Sequence, residues 1–183
     1  MERELLKMRR FEMLTPRIAM KFLYDGDEFY RFRGAEALGF LCKGEKARNY
    51  ILRLFWHLSD ESGAYCIGAP LGIAEIGRNN PEVFEGFKNK FVSLLDDWEV
   101  ERKYVAYGIM RTSEIVRDAY PNPIEKIYEV LEELKENPEF VAYAILALKS
   151  LNAKIPKEFK EDRRRARIYD GNEIVIVRIC DLL

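Results

Sequence analysis

Hydrophobic positions along the chain recur with the spacing of helices rather than strands. Between Glu45 and Leu58, the residues Ala47, Tyr50, Ile51, Leu54, Phe55 and Leu58 fall on one face of a 3.6-residue helix. Further stripes follow the same rule from Pro16 to Tyr24, Pro81 to Leu95 and Pro123 to Lys135. Three of these stretches open on a polar residue followed by proline: Thr15-Pro16, Asn80-Pro81 and Asn122-Pro123. A short polar side chain can accept a bond from the first free amides, and proline's fixed φ suits the first helical position, so each pair predicts a helix start. After each stretch comes a turn and then a second segment dense in alanine and glycine. These segments are Arg33 to Leu41, Gly68 to Ile76, Tyr104 to Thr112 and Phe140 to Leu148, whose starts lie 35, 36 and 36 residues apart.

A fixed period in this range is the mark of stacked repeats in which each unit buries its apolar face against its neighbours. Val105-Ala-Tyr-Gly-Ile-Met110 and Val141-Ala-Tyr-Ala-Ile-Leu146 match by size at nearly every position. Glycine inside a helix costs about 1 kcal/mol against alanine, so Gly39, Gly72 and Gly108 predict close helix-to-helix approach. The expected fold is all-α, with about four helical hairpins. An additional helix over residues 1 to 13 covers the first of them. At the other end, β-branched residues on both sides of Asp170-Gly171 predict a small β-hairpin. Residues 1 to 153 are expected to form the helical array, and 154 to 183 a basic segment and hairpin packed on the last repeat.

The period and the A-x-A-L-G-x-L segments resemble HEAT-like repeats of the type also found in phycobilisome lyases, which implies an α-solenoid. More narrowly, the stretch from Trp56 to Ile76, with Trp56 and Asp60-Glu-Ser-Gly63, resembles a motif of a small uncharacterised group of prokaryotic HEAT-repeat proteins. Tyr169-Asp170-Gly171 is similar to that group's C-terminal segment. Ala64 and Leu71 depart from its pattern, and the group implies no known reaction.

Composition narrows the function classes. The 183 residues are 48% hydrophobic and 33% charged, which suits a globular chain rather than a disordered or membrane-spanning one. A formal charge of −1 does not announce nucleic acid or an anionic membrane as partner. Cys42, Cys66 and Cys180 are widely spaced, so a disulfide framework or zinc knuckle is not expected. A cytoplasmic protein is the simplest expectation. Glutamine is absent and threonine occurs only at Thr15 and Thr112, a bias that matches proteins from hot environments.

No catalytic constellation is expected. The single histidine, His57, cannot supply the iron ligands of a HEAT-like hydroxylase such as deoxyhypusine hydroxylase. The acidic pairs Asp25/Asp27 and Asp96/Asp97 read as helix caps rather than cation ligands. No metal or cofactor is therefore expected.

The candidate site is a binding site. Residues 59 to 68 form a connection much longer than its counterparts, and long loops in compact arrays often carry function. Trp56 falls opposite the apolar stripe of its helix. Trp56, Asp60, Glu61 and Glu75 are the candidate recognition patch. The alternative is that Trp56 packs under the loop or against a neighbouring repeat while Asp60, Glu61 or Ser62 satisfies free amides at the next helix start. Taking Val105, Ala106 and Ile109 as inward, Tyr104, Tyr107 and Arg111 face outward, with Arg33, Glu36, Glu75 and Tyr143 near equivalent places. The same spacing also allows Tyr107 and Tyr143 to pack on each other. The expected function is a non-enzymatic module that presents a helical surface to a protein partner. The alternative is a nucleic-acid binder or DNA-repair enzyme, since Trp56 with Asp60 resembles in outline the site of HEAT-like alkylpurine DNA glycosylases. Lys157, Lys160, Arg163, Arg164, Arg165 and Arg167 could then meet phosphates.

Overall fold

The structure, a computed structural model, describes residues 1–59 and 65–183. It is mostly helical, with eleven α-helices and a two-stranded antiparallel sheet among the described residues. The helices are α1 (Glu2–Lys7), α2 (Pro16–Lys21), α3 (Glu28–Leu41), α4 (Gly44–Leu58), α5 (Ala69–Asn79), α6 (Pro81–Phe84), α7 (Lys88–Ser93), α8 (Arg102–Arg111), α9 (Ser113–Val116), α10 (Pro123–Leu134) and α11 (Pro138–Ser150). The strands are β1 (Arg165–Tyr169) and β2 (Ile174–Arg178). No described helix is long and apolar enough to cross a membrane. The chain divides into two compact units, Met1–Phe91 and Val92–Leu183.

The predicted helix starts are met where a side chain is free to cap. Thr15 Oγ1 accepts from the Ile18 amide at 3.3 Å. Asn122 Oδ1 accepts from Ile124 and Glu125, and Asn137 Oδ1 from Glu139 and Phe140. Asp27 caps α3 through the Phe29 amide.

Asn80 behaves differently. It sits at the cap position of α6, yet its side chain makes no capping bond there. Its Nδ2 instead donates to the carbonyls of Cys42 at 2.9 Å and Ile76 at 2.8 Å, and its Oδ1 accepts from the Gly44 amide at 3.1 Å. The end of α3, the start of α4 and the last turn of α5 all leave unpaired backbone groups in one buried place. One amide side chain serves all three.

The four alanine- and glycine-rich segments fall on α3, α5, α8 and α11. In the first unit α3 packs along α5, and α4 packs on α5 as well. The closeness of α3 and α5 is set by glycine: a Cβ built on Gly39 would lie 2.5 Å from the Glu75 carbonyl oxygen. On Gly72 it would meet the Leu23 and Leu54 side chains at 2.9 Å. In the second unit α8 packs along α11, and Tyr107 and Tyr143 meet edge to face at 5.8 Å.

Two predicted helices are broken. The stretch from Pro81 to Leu95 divides into α6, α7 and a 3-10 turn at Leu94–Asp96. Gly86 lies at the first break, where Phe84 and Phe87 both turn inward to be buried. Residues 1 to 13 give only α1 and a 3-10 turn at Phe11–Met13, because Arg9 takes a left-handed conformation with φ of 55°. The Arg10 amide then closes on the Leu5 carbonyl at 2.8 Å, a common way to end a helix. Both α1 and that turn pack on α3.

At the C-terminus β1 and β2 pair with Ala166 opposite Val177 and Ile168 opposite Val175. Asp170 Oδ1 accepts from the Asn172 and Glu173 amides, and Gly171 supplies the positive φ of the turn. β1 docks on α11, where the Tyr143 hydroxyl accepts from the Tyr169 amide at 2.8 Å.

Candidate functional site

α4 ends in Trp56-His57-Leu58, and the period of the helix decides what each residue does. Leu58 is buried with Ala47, Ile51, Leu54 and Phe55, whereas Trp56 projects from the opposite face and is 60% exposed. A large aromatic left this wet is not explained by the fold's own core. The His57 ring lies between two others, 5.1 Å from the Trp56 ring and 6.2 Å edge-on from Tyr24. Tyr24 comes from the end of the 3-10 turn Phe22–Tyr24 that extends α2, and it is partly exposed. His57 Nδ1 is buried and has no hydrogen-bond partner among the described residues.

The long connection begins beside this aromatic group. α4 ends at Leu58 and α5 begins at Ala69, with Pro70 in its first turn. Asp60 and Glu61 lie outside the described residues. The return leg is fixed to the group from below. The Gly68 amide donates to the Leu23 carbonyl at 3.0 Å, and a Cβ on Gly68 would lie 2.6 Å from that oxygen. Cys66 is fully buried, and burial pushes its thiol up to about 12, offset in part by hydrogen bonds from the Tyr24 hydroxyl and the Gly68 and Ala69 amides. Burial likewise raises Cys42 to about 11, with Lys46 and Lys43 opposing.

Thiolate is the reactive form, so both cysteines are protected twice, by access and by protonation. Only Cys180, which is partly exposed, is expected to react with a thiol reagent in the native protein. Titration before and after unfolding should count one fast thiol and then all of them. Rapid native labelling of Cys66 would show that the base of the aromatic group is open.

The other expected site residues are placed differently. Glu75 is fully buried on α5 and paired with Arg78 Nε at 3.1 Å, so it adds nothing to a surface patch with Trp56. Tyr104 and Tyr107 do not face outward: they are 0% and 2% exposed. The outward assignment treated α8 as carrying a single apolar stripe. The helix is instead enclosed by α11 and the turn at Leu94–Asp96, and every residue from Tyr104 to Ile109 is buried. Arg33 is buried too and pairs with Glu36 at 2.9 Å. Arg111 is half-buried, its guanidinium 5.9 Å from the Tyr107 ring.

Beyond Trp56, the exposed aromatics Tyr24, Phe40, Trp98 and Tyr120 were not anticipated. Tyr24 ends the first helical stretch, as Trp56 ends the second, and Trp98, 77% exposed, follows the third. Laying the connections over one another, rather than the helices, would have shown an aromatic at each of these three places.

Among the described residues no group of three or more His, Cys, Asp or Glu side chains comes together as metal ligands would. The arrangement is an exposed indole beside the His57 and Tyr24 rings, next to the buried Cys66.

The chain is 64% identical over 175 residues to an uncharacterized protein of Archaeoglobus fulgidus, an alignment that spans 94% of this chain and 95% of the other. It belongs to that archaeal family. No family model and no solved structure matches the chain.

Proposed function

We propose that this protein is a non-enzymatic protein-interaction module of the HEAT-like kind, whose four helical hairpins act as a support and whose contact surface is centred on Trp56. The observation that carries the reading is the exposure of Trp56, with Leu52 one turn before it also exposed, on a helix whose stripe of Ala47, Ile51, Leu54, Phe55 and Leu58 is buried. Tryptophan is prominent among residues that dominate binding energy, because a large rigid ring buries much area at little entropic cost. Tyr24 and His57 extend the aromatic surface. The small residues of α3, α5, α8 and α11 belong to the support. Their 35- to 36-residue recurrence is what favours a repeat array over an unrelated helical fold.

The test is a paired measurement on Trp56→Ala. An exposed side chain contributes little to stability, so the variant should unfold within about 0.5 kcal/mol of the parent in denaturant. Capture of a protein partner from nuclease-treated host extract should be lost in the same variant. A large drop in stability would return Trp56 to a packing role, and unchanged capture would remove it from the interface. Capture that survives only without nuclease and fades steeply with salt would favour the nucleic-acid alternative.

A further inference from the structure

The C-terminal hairpin leaves one strand edge open, and the chemistry around that edge specifies what could cover it. The Asp170 amide donates to the Glu173 carbonyl, and the Ile179 amide to the Arg164 carbonyl, each at 3.1 Å. These bonds fix the phase of the ladder between them. Since ladder bonds alternate every second residue, Ile168 with Val175 and Ala166 with Val177 are the pairs that exchange bonds. Ile174, Ile176 and Arg178 therefore turn their N–H and C=O groups away from β1. On the far side of β1 the corresponding Tyr169 amide is taken by the Tyr143 hydroxyl. On the far side of β2, among the described residues, no backbone group answers Ile174 or Ile176, while Arg178 caps the 3-10 turn Ile179–Leu182.

An open edge of β-branched residues is normally shielded, because it is a template for another strand. Here the edge runs Ile174-Val-Ile-Val177 without a charge, and Ile176 is 66% exposed. The sheet face that carries Ile176 also carries Arg165, Arg167 and Arg178, with Arg165 opposite Arg178 and Arg167 opposite Ile176. Arg178 is paired with Asp181 at 2.9 Å. Arg165 and Arg167 are exposed and point the same way.

We infer that the edge of β2 receives an extended acidic segment of a partner protein as a third strand. Main-chain bonds to Ile174 and Ile176 would hold it, while its carboxylates on one face would meet Arg165 and Arg167. Side chains on one face of a strand repeat every two residues, roughly 6.6 Å, which matches the spacing of Arg165 and Arg167. A second copy of this chain is disfavoured, because edge-to-edge pairing would bring two sets of arginines onto one sheet face. Nucleic acid could use the arginines but would leave the backbone edge unused. This surface lies in the second unit and does not depend on Trp56, so either reading can fail without the other.

The probe is a labelled nine-residue peptide of alternating valine and glutamate, with a valine and lysine counterpart, followed by anisotropy on the full chain. The acidic peptide should bind and the lysine peptide should not. Ile176→Pro removes the outward amide but spares both ladder pairs, and should weaken binding at least tenfold. Arg165→Glu with Arg167→Glu should do the same, and this variant serves as the second reading should the proline disturb the hairpin in circular dichroism. Binding of the acidic peptide that neither variant changes would overturn the inference. So would displacement by a single-stranded oligonucleotide with no effect of Ile176→Pro, or self-association that Ile176→Pro abolishes.

Discussion

Replacing Asn80 with alanine is expected to lower stability by about 3 kcal/mol. The estimate follows from what the side chain holds. Asn80 is 2% exposed, and its side-chain amide makes three bonds, two as donor to the Cys42 and Ile76 carbonyls and one as acceptor from the Gly44 amide. A buried group stripped of its partner costs roughly 1 to 3 kcal/mol, and some of the three will find water once the side chain is gone. The junction of α3, α4 and α5 should loosen together. Asn80→Asp is no rescue, since it keeps the acceptor, loses both donors and buries a charge. Denaturant unfolding followed by circular dichroism would measure it. A loss under about 1 kcal/mol would mean that the three backbone groups have other partners.

The second large effect is expected at Gly39, where the ordinary sign of a helix substitution reverses. Glycine to alanine inside a helix usually gains about 1 kcal/mol. At Gly39 the new Cβ would lie 2.5 Å from the Glu75 oxygen and 2.8 Å from the Glu75 carbonyl carbon. These are backbone atoms, so relief requires α3 and α5 to separate. Gly39→Ala should therefore destabilise by about 2 kcal/mol and Gly39→Val by more, as overpacking does elsewhere. Gly26→Ala is the control. Nothing lies within 4 Å of its Cβ position, and it should be neutral or slightly stabilising. If Gly39→Ala behaved like Gly26→Ala, the close packing of α3 on α5 would be wrong.

These two residues also show what sequence could and could not reveal. Gly39 was legible because its cost in a helix makes sense only if something approaches closely, and the recurrence of small residues at one spacing said which helices approach. Asn80 was legible only as a polar residue before a proline. Its real partners are 38 and 36 residues away in sequence, and no local rule connects them. Tyr104 and Tyr107 were misplaced for a related reason. Periodicity finds one buried stripe, but a helix enclosed on several sides buries its second face as well, and the extent of enclosure is a tertiary fact. Trp56 was legible because it breaks the stripe of α4. Tyr24 and Trp98 carry no such signal, since they stand where the periodic pattern ends.

The most direct measurement on the central claim is a binding titration of the captured protein partner against the parent chain, Trp56→Ala and Trp98→Ala at low and moderate salt. The account predicts that Trp56→Ala weakens binding by about 2 kcal/mol or more, roughly thirtyfold, at both salt concentrations. Equal affinity of the parent chain and Trp56→Ala would contradict it.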